Sequence, residues 1–249
     1  MKPFLGAVQF LTRFPIRLSQ AVDHSATIPW FPIVGALIGA VGGGIAVGLG
    51  ELVPPAVAGA VAVAVVLQLT GAFHEDGLAD VADAFGGGTT AERRMEILKD
   101  PRHGTYGVTA IATSIVVRVV CLASIAAPAA LFAGFVAAHT LGRATAVATM
   151  AAPPARHDGL GAEAARSARP FGAAVGVIVA VGVVALTSGW WVLPLCLAAA
   201  AAGAVVVGLS MRKIGGINGD VLGAVEQVVE CTVLVTVTGL AAHHTVWWG

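Results

Sequence analysis

Four stretches of this chain, 28–50, 52–73, 171–188 and 189–211, contain no Asp, Glu, Lys or Arg at all. A bilayer core takes about 20 predominantly apolar residues per helix. Inside it every backbone polar group must be satisfied within the segment, which favours helices. Three further apolar segments carry one or two charges each: 104–127 with Arg118, 129–151 with Arg143, and 221–242 with Glu226 and Glu230. Only 11% of the residues are charged, under half of the roughly 25% usual in soluble domains. The expected fold is therefore all-α, a polytopic membrane bundle of seven transmembrane helices in one integral membrane domain, 1–249. Gly42, Gly43 and Gly44 suit close helix approach, as membrane packing favours.

The basic residues predict orientation. Lys2, Arg13 and Arg17 precede the first span. Arg93, Arg94, Lys99 and Arg102 lie between the second and third. Arg156, Arg166 and Arg169 lie between the fourth and fifth, and Arg212 and Lys213 between the sixth and seventh. That is 12 of the 14 Lys and Arg on one side, the other two being inside spans. The positive-inside rule makes this side cytoplasmic. The expectation is a multi-pass protein of the cytoplasmic (inner) membrane, with its N-terminus and chemistry inside and its C-terminus outside. "FLGAVQFLTRF", with Phe4, Val8 and Leu11 at helical spacing, reads either as an interfacial amphipathic helix or as a short tail. Arg13 and Arg17 interrupt the apolar stretch there, so no secretory signal fits. Net charge is zero, which leaves no electrostatic footprint for nucleic acid. Cys121, Cys196 and Cys231 are dispersed within apolar runs and show no disulfide or zinc spacing.

Against this background, "FHEDGLADVADAFGGG" (73–88) stands out. Glu75, Asp76, Asp80 and Asp83 fall within nine residues. Asp76, Asp80 and Asp83 are spaced i, i+4, i+7, which puts them on one helix face. Like charges so arranged need a positive partner. Carboxylate oxygens at short range suit a hard divalent cation, and Mg²⁺ takes one or two carboxylates together with phosphate and water. The helix reads as a direct extension of the second span. Gly77 and Gly86–Gly88 allow close backbone approach and a following turn.

Two more polar clusters fall on the same side. "RRMEILKDPRHGTYG" (93–107) offers Arg93, Arg94, Lys99 and Arg102 as phosphate ligands, with a chain break at Asp100-Pro101. "GGINGDVLGAVEQVVE" (215–230) makes a turn over Asn218–Asp220 and then carries Glu226 and Glu230 into the membrane. An intramembrane carboxylate is a functional candidate by default, and pairing with Arg118 or Arg143 is its structural alternative. The three clusters together point to phosphoryl or nucleotidyl transfer at a membrane face.

"FLTRFP", "FHEDGLADVADAF", "RRMEILKDPRHGTYG" and "GGINGDVLGA…E", running in order from Phe10 to Glu226, resemble the cobalamin synthase family of adenosylcobinamide-GDP ribazoletransferases. The resemblance implies a Mg²⁺-dependent membrane enzyme of the last steps of cobalamin assembly. It would join adenosylcobinamide-GDP to α-ribazole, or to its 5′-phosphate, and release GMP. A ribazole hydroxyl would attack the phosphate next to the cobinamide. On this reading Asp76, Asp80 and Asp83 hold Mg²⁺, Asp83 or Asp220 accepts the hydroxyl proton, and Glu226 joins the catalytic set. Arg93, Arg94, Lys99, Asp100, Arg102, Gly104, Asn218 and Gly219 bind substrate, and Glu75 is dispensable. The acidic pattern also resembles that of CDP-alcohol phosphotransferases, although the Ala-Arg pair that follows D-G there is missing. A transporter using Glu226, Glu230, Arg118 and Arg143 is a further alternative. The partners expected are these small molecules and the lipid bilayer, with a homo-oligomer left open.

Overall fold

The computed structural model describes residues 1–16, 23–155 and 170–249. Arg17, Arg156, Arg166 and Arg169 lie outside the described residues. Among the described residues the chain is helical, with one isolated parallel bridge between Pro154 and Ile217. The helices are α1 (Lys2–Leu11), α2 (His24–Thr27), α3 (Phe31–Gly50), α4 (Pro55–Thr70), α5 (Phe73–Gly87), α6 (Ala91–Ile97), α7 (Thr105–Ser124), α8 (Pro128–Thr149), α9 (Pro170–Ser188), α10 (Val192–Ile214) and α11 (Gly219–Ala241). Proline opens α3, α4, α8 and α9 in the first turn, where its missing N–H costs nothing.

Seven of these helices fall on the seven predicted segments. By length and composition, five segments can cross a membrane, one of them the 45-residue Pro170–Ile214; a bent pair, α4 with α5, makes a sixth. The 45-residue segment is two helices, parted by a 3₁₀ turn at Gly189–Trp191 with Gly189 at φ 62°. The two run in opposite directions. α9 starts with Gly172 and Gly176 against Pro29 and ends beside Trp247 and Trp248, whose indole N–H groups donate to Leu186 and Thr187. α10 returns to the first end, where the Lys213 ammonium donates to the Phe85 carbonyl.

The centre of the bundle is α8, with 83% of its apolar window buried in protein, and α11, with 67%; α7 has 28% and faces outward. Small residues make the central contact possible. A Cβ at Gly39 would lie 2.7 Å from the Phe135 carbonyl oxygen, and one at Gly42 would lie 2.6 Å from the Phe135 ring. Together with Gly35, set against the His139 carbonyl, these glycines let the α3 backbone lie directly on α8, the small-residue packing typical of membrane helices.

The acidic helix does not continue the second span. α4 and α5 meet at 91°. The bend is made by Gly71 (φ 71°) and Ala72 (φ 55°), both left-handed. Glycine takes that conformation freely, whereas alanine is strained there by about 1–2 kcal/mol. Phe73 thus opens α5 instead of closing α4. The amphipathic segment at the N-terminus is the helix α1, with Gly6, Ala7 and Leu11 buried.

Candidate active site

Three pieces of chain meet at the end of the bundle that also carries Lys213. α5 supplies Asp76, Asp80 and Asp83. The loop between α6 and α7 supplies His103 and Gly104. The start of α11 supplies Asn218 and Asp220. α5 crosses α11 backbone to backbone: a Cβ at Gly77 would lie 2.8 Å from the Asp220 carbonyl oxygen, and one at Gly223 3.1 Å from the His74 carbonyl oxygen. The two acidic elements, about 140 residues apart in sequence, are therefore in direct contact.

The aspartates of α5 do different things. Asp76 is open to solvent, its side chain 64% exposed, and lies 3.4 Å from His103 Nε2. Asp80 lies 3.4 Å from His103 Nδ1, with a side chain only 15% exposed. Burial, followed by the negative charges of Asp220 and Asp76, pushes the Asp80 carboxyl up to about 6. Asp83 turns away from this pair. Its Oδ2 accepts the Gly104 N–H at 2.6 Å and its Oδ1 the Gly107 N–H at 2.9 Å. Those N–H groups are unpaired donors at the start of α7, so Asp83 ties α5 to α7. The i, i+4, i+7 stripe is real as a helical face, but its last member is engaged by backbone.

At α11 the helix cap is Asn218, whose Oδ1 accepts the Val221 N–H at 3.0 Å. Its Nδ2 donates to Asp220 Oδ2 at 2.8 Å. Asp220 is not the cap. Gly219 is the first residue of the helix.

The basic cluster is more divided than its sequence suggests. Arg93 is exposed and paired with Glu96 at 2.7 Å. Arg94 reaches across to α10, donating to the Lys213 carbonyl at 3.0 Å, and also to Thr89. Arg102 forms a two-pronged pair with Asp100. The side-chain and backbone hydrogen bonds from Arg102 pull the Asp100 carboxyl down to about 2. Lys99 is exposed. Arg94 is committed to structure, and Arg93, Asp100 and Arg102 satisfy one another or near neighbours.

Two acidic residues lie elsewhere than in the site. Glu226 does not reach the site: it is fully buried, pairs with Arg143, accepts from Gln227 at 2.9 Å and lies 3.6 Å from His74 Nδ1. Glu75, expected to be dispensable, is buried and pairs with Arg118 at 3.0 Å. Both belong to a network inside the bundle. Arg118 also lies 3.5 Å from Glu230, and Glu230 pairs with Arg143 and His139. His139, Glu226 and Glu230 are close enough together to ligate a cation. The Arg143 guanidinium already stands between the two carboxylates. The structural alternative for these intramembrane charges, mutual pairing, is the arrangement found.

Sequence reasoning missed His103, His74 and His139. His103 stood inside a quoted motif, between Arg102 and Gly104. His139 lies four residues before Arg143 on one helix face. Neither spacing alone distinguishes such a histidine from a packed one.

The profile of the cobalamin-5-phosphate synthase family matches residues 3–238. A protein named adenosylcobinamide-GDP ribazoletransferase from Bradyrhizobium diazoefficiens is 41% identical over 240 residues, covering 92% of this chain and 90% of that one. One of the same name from Azorhizobium caulinodans is 37% identical, covering 96% of each. Another from Vibrio cholerae is 31% identical, covering 97% and 95%. No solved structure matches at a significant level. With a family match along nearly its whole length and relatives this similar, the chain belongs to the cobalamin-5-phosphate synthase family.

Proposed function

We propose that this chain joins adenosylcobinamide-GDP to α-ribazole, or to its 5′-phosphate, with release of GMP, as the last transfer of cobalamin assembly. The observation that carries the site assignment is the meeting of Asp76, Asp80 and Asp220 on one face around the Gly77 crossing. Among the described residues, His103 is the basic side chain set against Asp76 and Asp80. A group of carboxylates in which burial, followed by the Asp220 and Asp76 charges, pushes Asp80 up to about 6 fits a hard divalent cation. Asp76 and Asp80 would hold Mg²⁺, with Asp83 fixing the loop beside them. Bound there, Mg²⁺ supplies charge neutralisation for the transferring phosphate.

The chain's own groups then have separable tasks. Asp220, oriented by Asn218, accepts the proton of the attacking ribose hydroxyl as its oxygen bonds to the phosphorus next to the cobinamide. The phosphorus–oxygen bond to GMP breaks, and GMP leaves with the electron pair. His103, between Asp76 and Asp80, orients both carboxylates. Incubating the purified protein with adenosylcobinamide-GDP, α-ribazole and Mg²⁺ tests this. GMP release that stops with chelator and returns with Mg²⁺ is expected, and no release at any Mg²⁺ concentration overturns it.

We further propose seven crossings of the inner membrane with this site cytoplasmic. In support, Lys2, Arg93, Arg94, Lys99, Arg102, Arg212 and Lys213 fall at the site's end of the bundle. The opposite end gathers the exposed Trp190, Trp247 and Trp248 around the buried Trp191, and exposed tryptophans of this kind are enriched at membrane interfaces. Leu52 is 79% exposed there. In a cysteine-free background, Leu52→Cys should react with an impermeant thiol reagent on spheroplasts, whereas Thr89→Cys should not.

A further inference from the structure

Beside the carboxylates lies a cavity of about 820 Å³, within the range of small-molecule sites. Asp76 and His103 form one wall. Phe10, Ile111 and Ile115 contribute apolar lining, and Arg13 and Gln68 line the same cavity. Arg13 was in no set of candidate residues. Its position is closely fixed. α1 ends at Thr12, whose hydroxyl donates to the Val8 carbonyl at 2.7 Å. The Arg13 N–H donates to the Leu69 carbonyl at 2.7 Å, pinning this residue to the end of α4. The side chain then passes over the right-angle bend: a Cβ at Gly71 would lie 2.5 Å from Arg13 Nε. Gly71 therefore serves the bend twice, by accepting φ 71° and by leaving room for the guanidinium stem.

Among the described residues no carboxylate pairs with Arg13. That differs from Arg93, Arg102, Arg118 and Arg143, each of which has an acidic partner. A guanidinium without a carboxylate partner, lining a cavity that Asp76 also lines, presents a fork matched to a tetrahedral oxyanion. We infer that Arg13 is a substrate-binding residue that takes a phosphate group in this cavity, which Asp76 also lines. The inference rests on the transferase reading above. Two substrate groups have this chemistry: the diphosphate of the donor and the 5′-phosphate of a phosphorylated acceptor.

The test uses the intact detergent-solubilised enzyme with Arg13→Gln and Arg13→Lys. The backbone bond to Leu69 survives in both, and thermal unfolding should be unchanged. Wild type should bind inorganic pyrophosphate by calorimetry, Arg13→Gln at least tenfold more weakly, and Arg13→Lys in between. In GMP-release assays, a loss of kcat/KM with both α-ribazole and its 5′-phosphate assigns Arg13 to the donor. A loss with the phosphorylated acceptor alone assigns it to the acceptor. Unchanged pyrophosphate affinity with unchanged kinetics for both acceptors overturns the inference. If wild type releases no GMP, the transferase reading fails, and the pyrophosphate comparison still decides whether Arg13 holds phosphate.

Discussion

Gly77 rests on the backbone of Asp220, so closely that a Cβ at position 77 would sit 2.8 Å from the Asp220 carbonyl oxygen and 3.0 Å from its Cα. Both are main-chain atoms and cannot rotate aside. Gly77→Ala should force α5 and α11 apart and separate Asp80 from Asp220. A displacement approaching 1 Å costs about a hundredfold in rate, so kcat for GMP release should fall by about that factor. Gly44→Ala, where a Cβ meets nothing within 4 Å, should behave as wild type. Equal activity of the two variants would contradict the crossing as the source of site geometry.

Asp80 gives the site a pH dependence with a definite sign. Its carboxyl is pushed up to about 6 by burial and by the Asp220 and Asp76 charges, so it is ionised above that value and protonated below it. Because a cation needs the ionised form, Mg²⁺ affinity should be full near pH 7.5 and fall as pH drops through about 6. The stability of the metal-free protein runs the other way. A raised carboxyl means that ionisation costs stability as pH rises from the unfolded value through about 6, and bound Mg²⁺ removes that cost. Added Mg²⁺ should therefore raise Tm more at pH 7.5 than at pH 5. Asp80→Asn should abolish both the pH-dependent part and detectable transfer, while insertion into the membrane is retained.

Neighbouring positions at the start of α11 should separate cleanly. Asn218→Ala removes the cap and should cost about 1 kcal/mol of stability. Asp220→Asn keeps the cap and should leave Tm unchanged, yet lower kcat by at least about a hundredfold if its carboxylate takes the hydroxyl proton. Retention of most activity by Asp220→Asn would remove it from the catalytic set.

Glu75 tests the buried network. Removing one member of a buried ion pair leaves a desolvated charge and typically costs about 3–5 kcal/mol. Glu75→Ala should destabilise by that order, seen as a lower Tm and poorer yield, because Arg118 loses its 3.0 Å partner. Glu75→Ala, Arg118→Met together should recover much of the loss. A single variant as stable as wild type would mean that Arg118 is satisfied by Glu230 alone.

The spans were legible because burial in lipid writes itself directly into hydropathy, and the order of the three polar clusters was legible because charges are so rare here. The right-angle bend was not. Gly71 carries a turn signal, but Ala72 at φ 55° is left-handed against its own preference, which local sequence does not encode. Helical spacing placed Asp76, Asp80 and Asp83 on one face, but spacing does not say what each meets. Asp83 meets the Gly104 and Gly107 N–H groups only because α7 begins beside it. Glu75 read as superfluous for the same reason, since its partner Arg118 comes 43 residues later on another helix.

The pairing of Arg118 and Arg143 with Glu226 and Glu230 also bears on how the chain is made. α8 leaves the ribosome long before α11, bearing Arg143, whose carboxylate partners Glu226 and Glu230 have not yet been synthesised, whereas Arg118 on α7 follows its 3.0 Å partner Glu75 in the chain. An arginine at mid-span in lipid is costly. Placing α8 in the bilayer therefore costs less once the last helix has arrived to pair Arg143. A nascent chain that stops before Gly219 leaves Arg143 without either of its carboxylate partners, while Arg118 keeps Glu75.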